Sequence, residues 1–272
     1  MIDNTEYLYH YTNVNALSMI LKTQSIKFTP LTELDDLEEE KIKDIKPFAK
    51  YVYISSWTDD VTESIPMWKM YTSDMNGVRI KLPKSPFKEY NITKNDFGQT
   101  KYKNIFEKSS FNIFSLMQKD EYIYSDYLLL GNKLDILHQV KYTNDIEKLY
   151  PKVETIIKDR FKFDFGDLGI YKNKYWDFQH EWRYVLLFHP YSFSDILEYN
   201  NHPEKIYSNV DSCVDLPFSK YFLKIDNDNF KDMEITLSPK IDEGTETIVQ
   251  ALVEKYNPSA KIIKSTLKGL IR

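Results

Sequence analysis

The sequence predicts an α+β domain built on a mixed or antiparallel sheet. Short β-prone runs and helix-periodic segments are interspersed without the strand–helix–strand alternation that builds a parallel, doubly wound sheet. Only 7 of 272 residues are Gly, so few positions offer the positive φ that repeated tight hairpins need. Neither a GxGxxG turn nor a GxxxxGK(S/T) loop occurs, so the Rossmann and P-loop folds lack their phosphate-binding glycines here.

The elements follow in order. YLYHYT (Tyr7–Thr12) is an aromatic, β-prone run. Asn13 then reads as the N-cap of a helix with Val14, Leu17, Ile20 and Leu21 on one face. Residues 25–29 (SIKFT) alternate like a strand, and residues 51–55 (YVYIS) form the next. Between them, residues 32–43 are acidic and read as a solvated loop and helix, with the run 35–40 as a water-facing surface. A short helix is expected around 67–71, with Pro66 tolerated in its first turn. Residues 77–82 (GVRIKL) read as a strand. The stretch 84–165 is poorly patterned and is expected to be a helical insertion, with alternation at 137–142 and a helical period over 146–161. Residues 181–188 (EWRYVLLF) are a strong strand. Strands at 221–225, 233–237 and 261–265 and an amphipathic helix at Glu243–Tyr256 complete a single domain spanning 1–272.

The bulk properties bound the function. A formal net charge of −5 and a pI near 5.7 argue against a broad nucleic-acid or membrane surface. The lone Cys213 forms neither an internal disulfide nor a Cys-based zinc site, which fits a reducing compartment. The N-terminus shows no signal-peptide pattern and no apolar run approaches about 18 residues, so a cytoplasmic protein is expected. His180-Glu181 opens like HExxH, but Tyr184 stands where the second His must be, and no metal site is expected. His138, His189 and His202 carry no pattern that assigns them a role.

Three segments remain: Tyr9-His10-Tyr11-Thr12; Ser55-Ser56-Trp57-Thr58 leading to Met67-Trp68-Lys69-Met70-Tyr71; and 176–183 (WDFQHEWR). The order LYHYT, then SWT and MWKMY, then NGVRI, KYWDFQHEWRYVL and MEITLSPKI resembles the DUF2971 family, which is similar to the ADP-ribosyltransferase superfamily. The likeness runs from about residue 7 to the C-terminus, and its specific blocks leave out 84–165.

The resemblance implies an ADP-ribosyltransferase-like fold of split mixed or antiparallel sheets with flanking helices. It also implies NAD as substrate, bound by the His–aromatic–Glu set of one branch of that superfamily. In this sequence those positions are His10, Trp57 with Trp68 (eleven positions apart, and Trp where many relatives have Tyr), and Glu181. Glu181 would bond the ribose 2′-hydroxyl and stabilise an oxocarbenium-like transition state, as carboxylates do in glycoside cleavage. His10 would bond the adenosine ribose, and the two tryptophans would sandwich the cationic nicotinamide. Tyr71, one helical turn after Trp68, would line the cleft. Arg183, on the same strand face as Glu181, would hold that carboxylate or take a pyrophosphate oxygen. Thr12 and Ser56 would add hydrogen bonds.

The expected activity is ADP-ribosyl transfer, or NAD glycohydrolysis with water as acceptor, in a bacterial toxin or phage-defence effector. The acceptor would be a protein side chain, a nucleic-acid base or a small molecule, and an antitoxin or regulatory protein would be a partner. The rival is a non-catalytic module that keeps the fold to sense a nucleotide or a partner. Convergence of His10, Trp68 and Glu181 on one cleft favours the enzyme. A closed Glu181–Arg183 ion pair with both tryptophans sealed in the core favours the module.

Overall fold

The computed structural model describes residues 6–271 except 45, 99, 101, 104–109, 131–134, 158–159, 164, 199–207 and 211. A ten-stranded mixed sheet organises the chain. Its strands are β1 (Tyr7–Thr12), β2 (Ser25–Pro30), β3 (Val52–Thr58), β4 (Val78–Pro83), β5 (Leu128–Leu130), β6 (Leu137–Gln139), β7 (Glu181–His189), β8 (Tyr221–Lys224), β9 (Glu234–Leu237) and β10 (Lys261–Lys264). The main path runs β8-β2-β3-β1-β4-β9-β10, and β7 joins β3 to β5 and β6. Every pairing is antiparallel except β9 with β10. The α+β class is therefore as the sequence predicts.

The pairing of β3 creates the feature around which the candidate site forms. Along one edge β7 pairs with all of β3, from Glu181↔Thr58 to Leu187↔Val52. The opposite edge is shared: β2 pairs at Ile54 and Tyr53, and β1 pairs only at Thr58. Between these contacts, at residues 55–57, β1 and β2 diverge and the sheet splits.

Helices cover the sheet as the periodicity indicated. In Val14–Thr23, Asn13 Oδ1 accepts from Ala16 N–H at 2.8 Å, Leu17, Ile20 and Leu21 are buried, and Gln24 ends the helix in the left-handed region at φ 51°. This helix packs on Glu243–Tyr256, which is capped by Asp242 and buries Val249 and Val253. The abundant aromatics form an edge-to-face cluster, with Phe188 in contact with Tyr53, Tyr127, Phe218 and Tyr221.

Two expectations change. The described part of 84–165 holds more strand than helix, with hairpins at Tyr90–Thr93/Asn112–Ser115 and Glu154–Ile157/Arg160–Phe163 besides β5 and β6. The helix predicted over 146–161 stops after Ile146–Leu149, because Pro151 cannot continue it and disfavours helical geometry before it. The β-branched run that follows then pairs as a strand. In 32–43 the structure has a short 3-10 turn, Leu31–Glu33, and further turns in place of a helix. Among the described residues no helix is long and apolar enough to cross a membrane.

Gly77 enters β4 where backbone and side chain crowd together. An added Cβ would lie 2.5 Å from the Thr12 carbonyl oxygen and 2.7 Å from Thr72 Cβ. Its N–H donates to Ser238 Oγ at 3.2 Å, and its carbonyl accepts from Ser238 N–H at 3.0 Å, so the backbone has little room to move. Gly77→Ala is expected to destabilise the protein by about 1–3 kcal/mol, the usual effect of overpacking. The check is a lower urea midpoint at unchanged slope; a wild-type midpoint would mean the turn opens freely.

Candidate functional site

The split in the sheet leaves the Ser56 carbonyl on an edge from which β1 has peeled away, and His10 fills the vacancy. His10 Nδ1 lies 2.8 Å from Ser56 O. A carbonyl oxygen only accepts, so Nδ1 carries the proton and Nε2 remains as the acceptor. Burial pushes the His10 pKa down and the nearby Lys27 charge adds to it, against the opposing bond to Ser56. The ring is therefore neutral at pH 7, and it rests on Trp57 with centroids 5.0 Å apart.

Two adjacent spaces open beside this contact. A cleft of about 670 Å³ is lined by Thr12, Asn15, Ser25, Lys27, Ser55 and Asp35 among others. A smaller cavity of about 70 Å³ is lined by Tyr9, Trp57, Gln179 and Glu181. His10, Tyr11, Ser56 and Tyr71 border both. The structure thus brings His10, Tyr71, Ser56 and Glu181 together, with Thr12 on the cleft side.

The tryptophans are placed differently from expectation. Alternation along β3 puts Trp57 on the face opposite Ser56 and Thr58, where it is 2% exposed, donates Nε1–H to Ser55 Oγ and packs edge-on against Tyr184. Trp68, on the helix Ile65–Tyr71, is fully buried in a separate cluster with Tyr11, Met67 and Met75, and its Nε1–H donates to Glu63 Oε2 at 2.9 Å. The two rings cannot sandwich a ligand between them. Trp68 borders neither space, and the helix presents Tyr71 to the cavity in its place.

Tyr71 is held by a directed chain of donors. Lys172 Nζ donates to Gln179 Oε1 at 3.0 Å, which fixes the amide so that Gln179 Nε2 donates to Tyr71 Oη at 2.7 Å. Tyr71 thus accepts from Gln179 and keeps its own proton to donate. Burial, with the Glu181 charge nearby, pushes its pKa up and keeps that proton in place.

Glu181 sits in a buried four-charge cluster. Arg183 Nε donates to its Oε1 at 2.7 Å, and Arg183 Nη2 and Lys172 Nζ donate to its Oε2 at 3.2 and 3.1 Å. Arg183 also bonds both oxygens of Glu39 and the Gly169 carbonyl. All five guanidinium N–H groups are used, so none is left for a pyrophosphate, and of its two expected roles Arg183 fills the holding one. Burial alone would raise the Glu181 pKa, but the charges of Arg183 and Lys172 outweigh it and lower it to about 2. The Ser56 hydroxyl acts in the same direction.

Glu39 corrects the reading of residues 35–40 as wholly solvated, since its side chain is 4% exposed. Sequence reasoning missed Glu39, Lys172 and Gln179. Gln179 carried no pattern that marks it, because it ends the 3-10 turn Lys174–Gln179 and the left-handed His180 separates it from the strand. Among the described residues no cluster of His, Cys, Asp and Glu is arranged to hold a metal. No family model, curated protein or solved structure matches this chain.

Arg183→Met is expected to destabilise the fold by about 3–5 kcal/mol, because it leaves two buried carboxylates facing a single Lys172. The acid sensitivity has a definite sign. The folded Glu181 pKa of about 2 lies below the unfolded value of 4.5, so the stabilisation is complete above 4.5 and is lost as pH falls towards 2. Urea titrations should show that loss in wild type and a smaller one in Arg183→Met. Equal losses would assign the effect to other carboxylates.

Proposed function

We propose that the cleft binds NAD and that the site cleaves its nicotinamide–ribose bond, passing the ADP-ribosyl group to an acceptor or to water. The observation that carries this reading is the meeting of His10, Tyr71 and Glu181 around one small cavity, with His10 and Tyr71 also bordering the larger cleft. A volume of about 670 Å³ suits a dinucleotide, within the range of roughly 300–1,000 Å³ common for ligand sites. The His–aromatic–Glu set implied by the sequence resemblance is then completed by Tyr71, with Trp57 as the platform under His10.

NAD supplies a glycosidic bond that breaks with its electron pair going to the ring nitrogen, while an acceptor oxygen or nitrogen bonds the ribose carbon and sheds a proton. The chain's own groups have separable tasks. His10 Nε2 accepts from a ribose hydroxyl. Tyr71 donates its O–H and offers a ring face. Glu181, held ionised, accepts from a hydroxyl and sets a negative charge beside the reacting carbon. The chain's net charge favours a protein or small-molecule acceptor over nucleic acid.

A second reading has its own support. Glu181 is closed into an ion cluster and both tryptophans fill the core, which favours a binding module that recognises a nucleotide without cleaving it. Incubation with nicotinamide-labelled NAD and cell lysate separates the two. Glu181→Gln is expected to lower nicotinamide release about 10²–10³-fold. His10→Ala is expected to weaken NAD binding about tenfold, the equivalent of one hydrogen bond, and carries the test if Glu181→Gln does not fold. Equal release by wild type and a folded Glu181→Gln would remove Glu181 from the chemistry. NAD binding without release by wild type would leave the module.

A further inference from the structure

Glu39 is held differently from the other three members of the buried cluster. Glu181 and Arg183 lie in β7 and Lys172 in the strand Tyr171–Asn173, so strand pairing fixes their backbones. Glu39 comes from a turn segment outside any strand: Glu39 N–H bonds Asp36 O and Lys41 N–H bonds Glu38 O, while its ties to the rest of the chain include Tyr150 Oη to Glu38 Oε1 and Lys43 N–H to Pro151 O. Leu37 in that segment is 70% exposed, and Asp36 Oδ2 is buried without a hydrogen-bond partner. Buried Leu31 and Ile42 anchor its two ends.

The Glu39 carboxylate is nevertheless buried, bonded by Arg183 Nη1 and Nη2 and lying 3.4 Å from Lys172 Nζ. A guanidinium fork and an ammonium converging on the two oxygens of one anion is the geometry by which proteins grip phosphates and carboxylates. Both cations are more than nine-tenths buried, with side-chain exposures of 1% and 7%. Charge counting gives the same answer. With Glu39 in place two acids balance two bases; without it one positive charge is left buried, a state that an incoming anion relieves.

We propose that Arg183 and Lys172 form an oxyanion-binding seat, and that Glu39 fills it as the chain's own stand-in for a phosphate or carboxylate of a ligand. The first half of the same segment, Glu33 to Asp35, already lines the 670 Å³ cleft. Withdrawal of Glu39 with this segment would empty the seat, and the segment acts as a strap over it. The proposal holds whatever nucleotide occupies the cleft, because its test uses no NAD.

The test is the thermal unfolding midpoint of wild type, Glu39→Ala and Glu39→Gln against rising inorganic phosphate or acetate, with chloride holding ionic strength constant. Both variants are expected to gain stability with an apparent affinity at least about tenfold tighter than wild type. The isosteric Glu39→Gln carries the test if Glu39→Ala does not fold. A response to phosphate alone marks a phosphorylated ligand, and a response to acetate as well marks any small oxyanion; either supports the seat. Adding Lys172→Gln to Glu39→Gln is expected to abolish the gain. A gain that survives Lys172→Gln, or variants that respond no differently from wild type, would overturn the proposal.

Discussion

Arg183 is the group on which the site's geometry depends. A guanidinium with 1% of its side chain exposed is stable only if its five donors and its charge are all answered, and here they are. Answering them draws four separate pieces of chain to one point: β7 through Glu181, the 34–41 turns through Glu39, the Gly169 turn through its carbonyl, and Lys172 through the two shared carboxylates. Gly169 meets the guanidinium from a left-handed turn at φ +71°, a conformation that L side chains rarely adopt. Such a buried cluster is weak evidence of net stability, since replacing the whole of a buried ion cluster by apolar residues of similar volume is often neutral or stabilising, whereas removing one member is costly.

The second constraint is the sharing of one β3 edge by two strands. Had β1 or β2 paired along its whole length, the Ser56 carbonyl would have met a backbone N–H and there would be no cleft. The split leaves that acceptor to a side chain, and the imidazole that satisfies it becomes fixed in tautomer and orientation at the cleft floor. Backbone hydrogen-bond accounting thus connects the topology to the chemistry of His10. Trp57 follows from the same arrangement: its burial against Tyr184 gives the imidazole a rigid surface to lie on.

The architecture was legible in the sequence where a pattern is local. The Asn13 cap, the alternation of EWRYVLLF and the period of Glu243–Tyr256 each follow from neighbouring residues. His10 and Glu181 stood out as polar groups in or entering apolar strands, their expected roles came from the family resemblance alone, and the structure places both on the wall of one cavity. The stacking pair was misplaced because Trp57 and Trp68 sit on elements whose relative faces only the three-dimensional pairing decides. Strand alternation sends Trp57 to one side of the sheet while the helix Ile65–Tyr71 covers the other. Glu39 was hidden among neighbouring acids, and Lys172 among the many lysines of a chain with only four Arg. Neither partner carries a local mark, because each acquires its role only when distant segments meet around Arg183.

A neutral cluster is not electrically silent, and this bears on how an ion-paired Glu181 acts on a ligand. Of the four charged groups, Glu181 is the one that borders the small cavity, and Arg183 and Lys172 each contact both it and Glu39. The alternation of charges away from the cavity leaves a negative end facing it. At the few ångströms that separate a lining carboxylate from a bound ring, that nearest charge outweighs the compensating ones further back, since each contribution falls with distance and burial limits screening. Glu39 sharpens the effect by drawing the Arg183 fork towards itself. Without it, both cations would converge on Glu181 alone and the cluster would carry a net positive charge. The residue that fills the proposed oxyanion seat is then also the one that preserves the negative field at the cavity wall, so filling the seat with a ligand anion would leave that field in place.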